Sequence, residues 1–299
     1  MISFIVPVYN GENFLFNNFE CLLNQTSNKF EVIYVNDGSI DTTEQKLREI
    51  CKKDHRFKFV SIENAGVMKA RKLGLDIATF DFVSFLDVDD IIDNNFVSFF
   101  EKNINSQLDI YCTSFKKRTG KTEENINSLK PGFYNNYQFI EKLCTEGGWE
   151  LCAKVFNKKL FDFVDYPKKT TIGEDALVLF QLVFFANCVT VFDNHMYSYI
   201  YYPNSASNIR DIDKCRDGLI SSIFIKKFLI QNKACSKSFT DSLILLFFSN
   251  SLRRGILKKN DILFKEVLSS YNLKSLINLS FKKRMIVTFG IFLTFLNFL

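Results

Sequence analysis

The chain has 299 residues, 47% of them hydrophobic and 24% charged, a globular composition that excludes a disordered or fibrous protein. Its net charge of +5 is modest and no nucleic-acid motif accompanies it, so nucleic acid is not an expected partner. The eight cysteines occur singly, with no C-x-x-C pair, as buried thiols do in a reducing compartment.

The first hundred residues alternate between two patterns. Residues 2–8 are a short β-rich apolar run that meets Pro7 at once, without the basic start or cleavage site of a signal peptide. A cytoplasmic location is therefore expected. Tyr9-Asn10-Gly11 closes this run, and 14–23 carry apolar residues at helical spacing. Residues 30–35 form the next run, ending in Asn36-Asp37-Gly38-Ser39. Asp41 and Glu44 then read as an N-cap and its capping-box partner for a helix to about Lys53. A strand at 57–62, a helix at 67–78, a strand at 82–86 and a helix from Asp93 follow. Apolar strands alternating with helices predict an α/β fold with a mostly parallel sheet flanked by helices.

Beyond this the pattern is mixed. Residues 109–115 read as a strand, and the charged segment 116–130 as a loop or lid. A helix at 174–185 follows the polar run Lys168-Lys169-Thr170-Thr171. Strands at 189–192 and 197–202 come next, and from Asp211 on the pattern is helical. The expected division is 1–207 and a helical, basic extension at 208–299.

In a parallel sheet all strand C-terminal ends lie on one edge, where ligands bind. The polar clusters at Tyr9-Asn10, 36–39 and 87–90 each follow a strand, so the fold should gather them. Asp87, Asp89 and Asp90 crowd three carboxylates into four positions. They repel one another and are costly to desolvate. A divalent cation such as Mg²⁺ or Mn²⁺ relieves this, taking one or two carboxylates plus phosphate oxygens; the competing reading is an acidic helix start capped by Asp90 or Asp93. Asp37 reads as an acceptor for a nucleobase N–H or as a simple turn residue, with Gly38 allowing close backbone approach. Asn64-Ala65-Gly66 before a helix, with Arg71 inside it, can seat a diphosphate. Gly173-Glu174-Asp175 opens an apolar helix, either as an acidic cap or as a general base. Walker, G-x-S-x-G and G-x-G-x-x-G motifs are absent from the sequence, which argues against P-loop enzymes, α/β-hydrolases and classical dehydrogenases.

Together these residues resemble the family 2 glycosyltransferases with the GT-A fold. Phe4-Ile5-Val6-Pro7-Val8-Tyr9-Asn10 resembles that family's first strand, and Asn36-Asp37-Gly38-Ser39 its nucleotide-binding turn. Asn64-Ala65-Gly66 with Ala70-Arg71-Lys72 is similar to its third motif, although Lys72 stands where Asn is frequent. Phe85-Leu86-Asp87-Val88-Asp89-Asp90 is similar to its D-x-D segment. Ala153-Lys154-Val155-Phe156 and Gly173-Glu174-Asp175 resemble its acceptor-side motifs. Ile200 departs from the family, which often has Arg after Tyr197-Ser198-Tyr199.

The resemblance implies an inverting transfer of a hexose from a nucleotide-sugar, usually a UDP-sugar, to a glycan acceptor. Asp37 would bind the base, with Pro7 and Tyr9 lining its pocket. Arg71 would lie near the diphosphate, Asp87 at the nucleotide, and Asp89 with Asp87 at the metal. Asp175 would be the base with Glu174 beside it, and Lys154 would sit near phosphate or acceptor. The expected acceptor is a lipid-linked O-antigen, capsule or lipooligosaccharide precursor, met at the inner face of the cell membrane. From Ser251 on there are nine basic and two acidic residues, and 285–299 is uncharged. That tail reads as an interfacial helix, with a buried packing helix or a homodimer interface as alternatives. Two other functions are weighed: a sugar nucleotidyltransferase, whose Gly-rich basic signature is missing, and a non-catalytic subunit of a glycan-assembly complex.

Overall fold

The computed structural model describes residues 1–105, 109–126, 129–166, 172–202 and 211–296. The polar run Lys168-Lys169-Thr170-Thr171 and the expected 207/208 boundary lie outside them. The chain forms two compact units. The first is Met1–Phe133, Leu151–Phe163 and Ala186–Tyr202, and the second is Tyr134–Glu150, Val164–Phe185 and Pro203–Leu299.

The first unit begins with β1 (Ile2–Val8), α1 (Leu15–Leu23), β2 (Phe30–Asp37), α2 (Thr43–Lys53), β3 (Phe57–Ile62), α3 (Val67–Ile77) and β4 (Phe82–Phe85). After these come β5 (Ile91–Ile92), α4 (Phe96–Asn103), β6 (Ile110–Thr119), β7 (Thr122–Ile126) and β8 (Gly132–Asn135), whose last residues enter the second unit. β9 (Lys154–Asn157) and β10 (Cys188–Ile200) complete it.

The sheet runs β3-β2-β1-β4-β9-β6-β10-β5, with β7 outside on β6. β1, β2, β3 and β4 are mutually parallel, as are β6 and β10. β9 is antiparallel to both β4 and β6. Every residue of β2 is buried, Glu31 included, which explains its largely apolar sequence. Phe4, Val6, Leu22, Phe30, Tyr34, Leu47 and Phe57 share one core. On the other side α3 packs on β1 and β2. Gly74 permits this, because a Cβ there would lie 2.4 Å from Ile5 Cγ2.

Four local expectations are corrected. α2 starts at Thr43 with Thr42 as its N-cap. Asp41 accepts the Thr43 N–H, but Glu44 turns to Arg48 and Ser61 instead of closing a capping box. Asp93 does not open a helix: Ile91 and Ile92 pair with Ser198 and Tyr197, and α4 begins at Phe96. Segment 116–130 is not a plain loop, because β6 continues through Thr119 and turns back as β7. Glu123 pairs with Lys116 and Arg118 there, so the hairpin is held by charges and lacks an apolar signature. The two strands expected at 189–192 and 197–202 are one strand, β10, with register shifts around His195.

Glu31 on β2 joins three segments. It accepts from Ser3 Oγ at 2.6 Å, Thr79 N at 2.7 Å and Lys58 Nζ at 2.8 Å. Burial alone would raise its carboxyl, but Lys58, Ser3 and Thr79 outweigh it and hold it down at about 2 against an ordinary 4.5. A depressed folded-state value stabilises the protein fully above about pH 4.5 and ceases to do so as pH falls through about 2. Glu31→Gln should lower unfolding stability by roughly 3 kcal/mol at neutral pH. The gap between the two proteins, read by chemical denaturation, should shrink as pH falls below about 4.5.

The second unit is helical: α5 (Asn136–Thr145), α6 (Glu174–Phe185), α7 (Ile212–Gln231), α8 (Lys237–Ser251), α9 (Ile262–Ser270), α10 (Leu273–Ile277) and α11 (Phe281–Leu296). α8 is its axis, with Leu243–Phe248 buried and α5, α7, α9, α10 and α11 against it. Trp149 stacks on Phe247 with ring centroids 4.0 Å apart and donates its indole N–H to the Leu143 carbonyl. Asp241, 2% exposed, is matched by Lys226 and Lys237.

Candidate donor site at the strand ends

The loops after β1, β2, β3 and β4 meet at the C-terminal edge of the sheet. Asn10, in the left-handed region at φ 50°, donates its N–H to Ser39 Oγ and accepts from Ile40 N through its side chain. Tyr9 beside it is 52% exposed, and Pro7 is half-buried opposite Val35. Gly38 has φ +71°, and a Cβ there would lie 2.5 Å from the Asn64 backbone nitrogen. The glycine anticipated for close approach to a ligand thus admits the loop after β3.

Asp37 makes that loop's main attachment. Its two carboxylate oxygens accept the N–H groups of Ala65 at 2.7 Å and Gly66 at 3.0 Å. Each oxygen keeps a further lone pair for a ligand donor. The turn interpretation and the ligand interpretation therefore describe one residue. Gly66, at φ 91°, then starts α3.

Arg71 on α3 is buried and reaches Asp87 Oδ1 at 3.2 Å, with its guanidinium carbon 5.5 Å from the centre of the Phe85 ring. The pair fixes the cation beside the first carboxylate of the β4 loop. That loop is also held through its backbone. The Asp87 carbonyl accepts from Asn18 Nδ2 at 3.4 Å, and Asn18 accepts from the buried Tyr34 hydroxyl at 3.0 Å.

The three aspartates have separate surroundings. Asp90 is 1% exposed and accepts the Tyr197 hydroxyl at 2.6 Å and the Ile200 N–H at 2.8 Å. It does not cap the next helix; it anchors β10 to the carboxylate loop. The Tyr197 oxygen in turn accepts the Asp87 N–H at 3.4 Å. Burial and Asp87 push the Asp90 carboxyl upward. Asp89 is half-buried, and burial and then Asp87 push it up to about 6. Among the described residues no group of three His, Cys, Asp or Glu side chains forms a metal cluster. Asp87 and Asp89 are half-buried, whereas Asp90 is enclosed against Tyr197.

Sequence reasoning missed Tyr197 and Asn18 as supports of this loop. Tyr197 was visible only as one aromatic in a β-rich run, and Asn18 as one polar residue on an otherwise buried helix face. Lys154, 5% exposed, lies on β9 with its carbonyl accepting from Ser84 Oγ. The β4–β9 register puts it beside the C-terminal end of β4.

A family profile described as Glycosyl transferase family 2 matches residues 3–163, which contain β1 to β4 and every carboxylate of this edge. The chain belongs to glycosyl transferase family 2. The family 2 segment is accompanied by longer similarities. Glycosyltransferase GlyA of Streptococcus pneumoniae is 29% identical over 70% of this chain and 32% of its own length. An uncharacterized glycosyltransferase of Rickettsia bellii is 36% identical over 58% of this chain and 25% of its own. The chain thus spans a third or less of those two relatives. Among solved structures, Staphylococcus aureus TarS residues 1–349 with UDP-GlcNAc aligns at TM-score 0.70 and 18% identity, covering 98% of this chain and 88% of that one. That likeness is one of fold, and it fits a GT-A sheet in this family 2 protein.

Glu174 and Asp175 lie in the second unit, on the first turn of α6. Gly173 before them has φ +88°, and a Cβ there would lie 2.7 Å from Ser221 Cβ. Ser221 also donates its hydroxyl to the Ile172 carbonyl at 2.8 Å. The start of α6 is therefore clamped on α7, which fixes where both acidic residues emerge.

Proposed function

We propose that the protein transfers a hexose from a UDP-sugar to a hydroxyl of a lipid-linked glycan, with inversion to a β linkage. The observation that carries this reading is the grouping of Asp37, Arg71, Asp87 and Asp89 on one sheet edge within a family 2 fold. The acceptor is an O-antigen, capsule or lipooligosaccharide precursor, and the enzyme works peripherally at the inner face of the membrane. The described residues contain no helix long and apolar enough to cross a membrane.

The residues fit a divalent cation. Asp89 is held toward its protonated form by burial and by Asp87, so a cation beside this pair would offset both effects. Asp87 and Asp89 would hold Mg²⁺ or Mn²⁺, which when bound neutralises charge on the leaving diphosphate. Support comes from TarS, solved with UDP-GlcNAc, and from the fold-similar mannosyltransferase PcManGT of Pyrobaculum calidifontis, solved with GDP-Man and Mn²⁺ at TM-score 0.57 and 13% identity.

In this reading Asp37 binds the base between Pro7 and Tyr9. Arg71 holds Asp87 in place and adds positive charge near the diphosphate. Asp175 takes the proton of the acceptor hydroxyl as its oxygen bonds to the sugar C1. The C1–O bond to the diphosphate breaks, and the nucleoside diphosphate leaves with the electron pair. Glu174 stands beside the base, and Lys154 contacts phosphate or acceptor. A nucleotidyltransferase is disfavoured by the family match. The test is a screen of UDP- and GDP-sugars with Mn²⁺ and membrane-derived acceptors. Release of nucleoside diphosphate with a β-linked product supports the reading; no hydrolysis or transfer from any donor turns it toward a non-catalytic assembly subunit.

A further inference from the structure

The last helix is apolar on two opposite faces. α11 buries Val287, Gly290, Ile291 and Thr294, positions that share one side of a helix. This side packs on α8, and a Cβ on Gly290 would lie 2.4 Å from Leu252 Cδ1. Phe281, Met285, Phe289, Phe292, Phe295 and Leu296 lie on the other side and are 42% to 75% exposed. A helix packed on a core by one face is ordinarily polar on the opposite one. Between Met285 and Leu296 only Thr288 interrupts the outer stripe.

The charges at its start are as unusual. Lys282, Lys283 and Arg284 occupy the first turn, where the helix dipole disfavours cations. Lys283 donates to Asn250 Oδ1 at 2.9 Å. Arg253 follows three residues after that Asn250, and burial, then Lys282 and Arg253, lower the affinity of Lys283 for a proton. The basic cluster lies at the end of α8 and the start of α11, within the second unit.

We propose that the outer stripe of α11 and the cations Arg253, Lys282 and Lys283 form a docking surface for an anionic phospholipid bilayer. Headgroup phosphates offset the repulsion among the cations and between them and the helix dipole, while the aromatic stripe enters the boundary between headgroups and acyl chains. A second copy of this chain is the poorer occupant, because its α11 carries no acidic residue to offset these cations. At about 1.5 Å per residue the helix is shorter than a bilayer core and lies along the surface. This inference rests on the lipid-linked acceptor reading and deepens it by naming the surface that meets the membrane.

Flotation with phosphatidylglycerol-rich and pure phosphatidylcholine vesicles tests it. The protein should float with the former, sparingly with the latter, and release in high salt. Lys282→Ala and Arg253→Ala should each weaken partitioning about fivefold. Phe289→Ser with Phe292→Ser should abolish it while leaving the thermal transition in place, because both side chains are exposed. Equal binding to both vesicle types, or wild-type binding by the Phe289/Phe292 variant, would overturn the proposal. So would a dimer in light scattering that these substitutions dissolve. UDP-sugar hydrolysis in the absence of vesicles reports on the transferase reading separately, so the two can fail independently.

Discussion

Asp175→Asn is expected to lower sugar transfer by about 10²–10⁴-fold while UDP binds as in the wild type. Asparagine keeps the shape of the side chain but cannot accept the proton of an attacking hydroxyl. The effect should fall on turnover and not on donor affinity, because the groups assigned to the donor are Asp37, Arg71, Asp87 and Asp89. The backbone at the start of α6 is set by Gly173 and the Ser221 hydrogen bond, so the substitution leaves the helix in place. Glu174→Gln should cost less, since Glu174 is assigned a supporting place beside the base. Loss of UDP binding in Asp175→Asn would remove the base assignment and move Asp175 to the donor side.

Asp89→Ala is the second large effect. It should abolish the dependence of UDP binding on Mn²⁺ and lower transfer by about 10²–10³-fold, the scale of removing one electrostatic contact to a developing charge. The three aspartates of this loop are not equivalent. Asp87 has Arg71 at 3.2 Å, and Asp90 holds Tyr197 and Ile200. Asp89 is pushed up to about 6 by burial and Asp87, and a cation would relieve it directly. Asp90→Asn should instead loosen the attachment of β10 to the loop and act through the placement of Asp87 and Asp89. Mn²⁺-dependent UDP binding that survives in Asp89→Ala would exclude that residue as a ligand.

The α/β core was legible because β1, β2 and β4 are buried on both faces and its helices carry apolar stripes. β1, β3 and α6 have the bounds expected from sequence. The β6–β7 hairpin was not legible, since Lys116, Arg118 and Glu123 stabilise it through charge where apolar alternation would have marked a strand. β10 was read as two strands because Asp193-Asn194 interrupts its apolar pattern at the register shifts. In the site, the sequence pointed to Asp37, Gly38 and the three aspartates by their places after strands. It did not show that Gly38 makes room for Asn64 or that Asp90 is spent on β10, because both depend on segments distant in the chain. The tail gave a choice between an interfacial and a packing helix. α11 packs on α8 by one face and exposes apolar residues on the other, and a count of apolar residues does not separate two faces of one helix.

We propose that the β1, β2 and β4 ends form a nucleotide-sugar donor site completed by a divalent cation. The most direct measurement is calorimetric titration of the purified protein with UDP, with Mn²⁺ and again with a chelator. Binding is expected with Mn²⁺, lost on adding the chelator and weakened in Asp37→Ala. Absence of binding to UDP and GDP under both conditions, or UDP binding indifferent to both the chelator and Asp37→Ala, would contradict it.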